Sequence, residues 1–157
     1  MKGSEKVIAV LNEALHEELT AINQYFLHAE MCENWGYEKI AKDVRKLSIV
    51  EMKHAERLIE RILFLDGFPN MAAPVQLKIG KAVNQQLQND LNLELSAVKL
   101  YNQAVKLARA EGDNGSAELL KAILLDEEDH ADWQETQLSL IKEIGNELYL
   151  SEQTKKE

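Results

Sequence analysis

Acidic side chains stand on this chain where a packed helix face should be apolar. One helical run reads Ile8, Leu11, Leu15, Glu18, Ile22, Tyr25, Ala29. A second reads Ile40, Val44, Leu47, Glu51, His54, Leu58, Ile62, Leu65. A third reads Val83, Leu87, Leu91, Glu94, Val98, Tyr101, Val105, and a fourth Leu120, Ile123, Glu127, His130, Gln134, Leu138, Ile141. Each run steps by three or four residues, the period of a helix face packed against other helices. Burying four carboxylates together costs many kcal/mol unless cations compensate them. Two divalent metal ions are the simplest compensation, because the charges then cancel.

The spacing points the same way. Glu18 to Glu51 is 33 residues, and so is Glu94 to Glu127. A shift of 76 residues carries Glu18 to Glu94, Glu51 to Glu127, His54 to His130 and Tyr25 to Tyr101. Two halves therefore each supply a lone Glu and then a Glu-x-x-His. The residues between barely repeat, so the symmetry is one of site chemistry more than of sequence.

A chain of 157 residues can close one domain around a real core. With only two prolines and seven glycines, helices are favoured. The expected helices cover about 4–34, 37–64, 82–111 and 116–144, with the tail read as a short fifth helix over about 147–154 or as a frayed end. Ser4 and Ser116 are the expected N-caps, and Gly36 and Gly145 the expected stops. Asp66 to Asn70, Pro74 and Gly80 keep the stretch to about residue 81 irregular, long enough to cross the length of a bundle. Two hairpins joined by such a crossover make an all-α, ferritin-like four-helix bundle, a single domain over 1–157.

In the first hairpin Glu18 lies 18 residues before Gly36 and Glu51 lies 15 after it, so both reach nearly one height. The second hairpin matches less well, with Glu94 18 before Gly112 and Glu127 12 after Gly115.

A net charge of −9 argues against nonspecific nucleic-acid binding and is compatible with handling cations. The single Cys32 cannot form an internal disulfide and reads as a reduced thiol of a cytoplasmic protein. No signal peptide or membrane span is visible.

Glu-x-x-His alone is a weak signal in a chain with 20 glutamates. Glu13-x-x-His16 is a third copy, but it sits roughly 140–160° around the helix from Glu18 and is expected to face solvent. His28 also lies off the seam and reads as a surface or interface histidine. The rival account of the six seam residues is a buried salt-bridge network, yet no Lys or Arg lies on the seams at their level. Carboxylate and imidazole without thiolate suit iron or manganese, with zinc possible. Glu51 and Glu127 are placed to bridge two metals, with Glu18 and Glu94 as terminal ligands and one His per metal. Met52 lies about 100° off the seam and should face outward, where methionine often fills a contact.

The sequence closely resembles the bacterioferritins. Ala21 to His28, Glu51-Met52-Lys53-His54-Ala55, Ile59 to Leu65, Leu91 to Leu95, Asp126 to His130 and Asn146 to Leu150 carry the likeness, which extends over nearly the whole chain. It implies a hollow homo-oligomeric shell of twenty-four copies that stores iron. Fe(II) would be oxidised by O2 or H2O2 at Glu18, Glu51, His54, Glu94, Glu127 and His130, and deposited as mineral. It implies further that Met52 binds the iron of a noncovalent haem b shared by two subunits, and that a ferredoxin-type reductant drives iron release. Tyr25 and Trp133 are the candidate electron donors, whereas Tyr101 reads as core packing. Bacterioferritins often carry a His and an Asp at the positions of Lys46 and Val50, used by iron on the inner surface, and Leu58 stands where another aromatic is often found. Neither Lys46 nor Val50 is a usual iron ligand, so the resemblance leaves that inner-surface route open. Two alternatives stay open: a di-iron peroxidase or oxidase that stores nothing, and a noncatalytic haem-binding cage subunit.

Overall fold

In the computed structural model, which describes residues 1–154, the chain forms α1 (Glu5–Asn34), α2 (Glu38–Phe64), α3 (Val83–Ala110), α4 (Asn114–Ile144) and α5 (Asn146–Gln153). The ferritin-like bundle is thus present, with its long crossover and short last helix. Ser4 begins α1 by accepting hydrogen bonds from the backbone N–H groups of Lys6 and Val7. No described helix is long and apolar enough to cross a membrane.

Two hairpins, α1 with α2 and α3 with α4, turn through the same motif. Gly36 N–H donates to Glu33 and Tyr37 N–H to Cys32, while Gly112 N–H donates to Arg109 and Asp113 N–H to Ala108. Gly36 (φ 89°) and Gly112 (φ 74°) hold the left-handed position this motif needs. They are 76 residues apart, like the ligand pairs. Glu127 lies 15 residues after Gly112, as Glu51 does after Gly36. The unequal heights expected for the second hairpin came from counting from Gly115, which lies inside α4.

Ser116 does not cap α4. The cap is Asp113, whose side chain accepts from the Ser116 backbone N–H, and the Ser116 hydroxyl also donates to it at 2.6 Å. Arg61 of α2 donates to both Asp113 and Ser116 at 2.9 Å, tying the two hairpins together.

Residues 65–82 run alongside α1, held by side chains on one stripe of that helix. Asn12 bonds Phe68 O and the Asn70 N–H, His16 bonds Pro74 O, Gln24 accepts from Lys78 N–H, and His28 accepts from Gly80 N–H. The crossover carries α3 back to the end where α1 finishes, so α2 and α3 run parallel.

The core is two apolar clusters. One gathers Leu11, Leu15, Leu58, Ile62, Tyr101, Leu120 and Ile123. The other gathers Tyr25, Cys32, Ile40, Val44, Leu87 and the α5 residue Tyr149. The six seam Glu and His residues lie between them along each helix.

Candidate metal centre

Glu18 on α1, Glu51 and His54 on α2, Glu94 on α3, and Glu127 and His130 on α4 all converge and are all buried. Their ligand atoms form two overlapping groups, Glu18–Glu51–His54–Glu127 and Glu51–Glu94–Glu127–His130, each within 4.8 Å. Glu51 and Glu127 belong to both groups, so they occupy the bridging positions. His54 Nδ1 lies 3.4 Å from Glu18, 3.2 Å from Glu51 and 3.2 Å from Glu127. His130 Nδ1 lies 3.4 Å from Glu51, 3.4 Å from Glu94 and 3.6 Å from Glu127.

The donor atoms point at one another without closing hydrogen bonds. One oxygen each of Glu18, Glu94 and Glu127, both oxygens of Glu51, and Nδ1 of both histidines are buried and unpartnered. Buried polar groups ordinarily find partners, and an unpaired one costs about 1–3 kcal/mol. Among the described residues, the ion pairs of these carboxylates are with His54 and His130, never with Lys or Arg. A salt-bridge network therefore does not account for the cluster, whereas two divalent cations would satisfy the orphaned carboxylate and imidazole atoms of these six residues. Such a mixed oxygen and imidazole donor set fits iron, manganese or zinc.

Electrostatics without metal agree. Burial, then Glu18 and Glu94, push the Glu51 carboxyl well above its ordinary range. Burial and then Glu18 push Glu127 upward as well. For His54 burial opposes the charged form, but the adjacent carboxylates of Glu127, Glu18 and Asp126 outweigh it and raise the imidazole to about 10. The metal-free cluster thus keeps protons that cations would displace.

Two tyrosines hold the terminal carboxylates crosswise. Tyr25 of α1 donates to Glu94 of α3, and Tyr101 of α3 donates to Glu18 of α1 at 2.5 Å. Tyr101 is therefore more than core packing, contrary to its sequence reading. The 76-residue shift that pairs it with Tyr25 was the available signal. Gln134 donates to the Tyr25 hydroxyl at 2.6 Å, while its counterpart by the same shift is Leu58. Trp133 is half-buried against the cluster that contains Tyr25.

The histidines off the seam need correction. His28 is fully buried, with Nδ1 2.9 Å from Asp90 and Nε2 accepting from Gly80 N–H, so it is neither a surface nor an interface residue. His16 faces the crossover at Pro74 rather than open solvent. Met52 does face outward, 57% exposed, with Ile49 one turn earlier on the same face also exposed. Lys46 is exposed and Val50 half-buried.

The fold and this cluster define a ferritin-like protein, and residues 8–144 match the family model described as Ferritin, a ferritin-like domain. The chain is 47% identical over 151 residues to the bacterioferritin of Streptomyces coelicolor, covering 96% of this chain and 90% of that one. It is 46% identical over 149 residues to the bacterioferritin of Brucella melitensis, covering 95% and 92%. A bacterioferritin of Mycobacterium tuberculosis is 44% identical over 149 residues, covering 95% and 94%. The chain belongs to the bacterioferritin family.

Proposed function

We propose that this protein stores iron. Fe(II) is its substrate, oxidised at Glu18, Glu51, His54, Glu94, Glu127 and His130 by O2 or H2O2, and the Fe(III) product is deposited as mineral inside a shell of twenty-four copies. The observation that carries this reading is the pair of overlapping ligand groups sharing Glu51 and Glu127, with their orphaned buried donors. Two adjacent Fe(II) ions supply two electrons, enough to take O2 to H2O2 or H2O2 to water. Glu51 and Glu127 hold both ions close, and Glu18 and Glu94, oriented by Tyr101 and Tyr25, each hold one. Tyr25 and Trp133 are the donors for any further electron. The setting is the cytoplasm, in keeping with the single buried thiol of Cys32.

Haem b belongs to the same reading. Met52 is an exposed thioether beside exposed Ile49, and with the same residue of a second copy it would hold the haem by its sulfur, a soft donor suited to haem iron. Bound haem supplies one-electron transfer, here for iron release with a ferredoxin-type reductant. Met52 would anchor it at the interface between copies.

The test is iron retained by metal-free protein given excess Fe(II) in air. Retention far above about two ions per chain supports storage. Retention of only about two indicates a fixed di-iron oxidase or peroxidase. In parallel, Glu18→Ala should abolish fast Fe(II) oxidation, and a variant as fast as the parent would remove these residues from the reaction.

A further inference from the structure

The two halves of the cluster are alike in their ligands and unlike behind them. His54 Nε2 lies 2.8 Å from Asp126 Oδ2. With Nε2–H donating to that carboxylate, Nδ1 keeps its lone pair for a metal among Glu18, Glu51 and Glu127. His130 offers Nδ1 to Glu51, Glu94 and Glu127 in the same way. Among the described residues, however, its Nε2 has no hydrogen-bond partner, and its side chain is 10% exposed against 3% for His54.

The repeat explains the difference. Asp126 directly precedes Glu127 on α4, and the residue directly preceding Glu51 on α2, 76 positions earlier, is Val50. An isopropyl group cannot accept a proton. A carboxylate behind a metal-bound histidine fixes its tautomer and ring orientation and raises its basicity, and losing one typically weakens metal binding by about 10- to 100-fold. One half of the cluster has this support and the other lacks it.

Resting on the dimetal reading above, we propose that Asp126 is a positioning residue that makes the Glu18–His54 subsite the tighter of the two, and that the Glu94–His130 subsite, with Val50 in the matching place, fills second. The two ions of each pair then bind in a set order, and the weaker one is the one exchanged.

Calorimetric titration of the metal-free assembly with Zn²⁺ tests this without any turnover. The shared Glu51 and Glu127 would separate two steps by charge repulsion even between equal subsites, so the variants decide. Asp126→Asn should weaken the first step by about 10- to 100-fold. Val50→Asp should strengthen the second step and leave the first within about two-fold. In crystals given one Zn²⁺ per chain, anomalous signal should lie between Glu18 and His54. Equal signal at both subsites, or an Asp126→Asn variant whose first step stays within about two-fold of the parent, overturns the proposal while leaving the dimetal reading intact. Fewer than about two Zn²⁺ per chain in the parent overturns both. Asp126 is half-exposed and Val50 lies on a different helix, so misfolding of one variant, seen as lost helical circular dichroism, leaves the other and the crystals to decide.

Discussion

Tyr101 donates its hydroxyl proton to Glu18 Oε1 at 2.5 Å, reaching from α3 to α1 across the buried centre of the bundle. Tyr25 makes the mirrored bond to Glu94. Each terminal carboxylate is therefore held by the tyrosine of the opposite half. Tyr101→Phe removes the bond with little loss of volume and frees Glu18. Zn²⁺ affinity should fall by about 10- to 100-fold, with helical content unchanged. Tyr25→Phe should do the same at Glu94, and it also strands the Gln134 amide that donates to Tyr25. It should therefore cost more stability than Tyr101→Phe, by about 1 kcal/mol in denaturant unfolding. Equal stability losses would show that the Gln134 bond adds nothing.

Stability of the metal-free protein should fall as pH rises. Burial and neighbouring carboxylates raise Glu51 and Glu127, so the folded chain keeps protons that the unfolded chain has released above about 4.5. The folded state then binds more protons, and each step up in pH favours unfolding. His54 acts with the same sign: its contribution is complete below its ordinary value and disappears as pH rises through about 10. Tm without metal should be higher at about pH 5 than at about pH 8. Saturating Zn²⁺ should remove the slope, because it displaces the same protons. A metal-free Tm that climbs over this range would mean that the cluster is ionised when empty.

His28→Leu should weaken the fold and spare the chemistry. The substitution leaves Gly80 N–H unpaired, at about 1–3 kcal/mol, and takes from buried Asp90 one partner while the Gln24 amide stays. Fe(II) oxidation by the folded fraction should stay close to the parent rate, because His28 touches none of the six cluster residues. A variant that kept its stability but lost oxidation would place His28 in the reaction instead.

Met52→Leu should lose haem at almost no cost to folding. The side chain is 57% exposed, and surface substitutions of this kind usually stay within about 0.5 kcal/mol. Absorbance of haem added to the purified variant is the readout. Full haem occupancy in the variant would refute an axial role.

The parts of the structure that follow helical periodicity could be read directly. Glu18, Glu51, His54, Glu94, Glu127 and His130 stand on the apolar seams, and a seam residue must face the other helices whatever the loops do. His28 could not be read this way, because what buries it is the crossover, which has no period of its own. Tyr101 looked like filler because a phenol on a seam packs well with or without a partner for its hydroxyl. Ser116 has the residue type of a cap, but Asp113, three residues earlier, accepts from the Ser116 backbone N–H and starts the helix at Asn114, which leaves Ser116 inside the first turn. Asp126 carried no signal at all: its partner His54 is 72 residues away on another helix.

The apolar interior closes as two separate clusters, one on each side of the charged layer. Each end can keep its packing while the layer between them loosens. Emptying the protein of metal should then soften its waist and leave both ends firm. Amide hydrogens near Glu51 and Glu127 should exchange faster in the empty protein than in the filled one, while those around Leu11 and Val44 change little. Ions could then pass between the helices by breathing at mid-length, with neither end of the molecule coming apart.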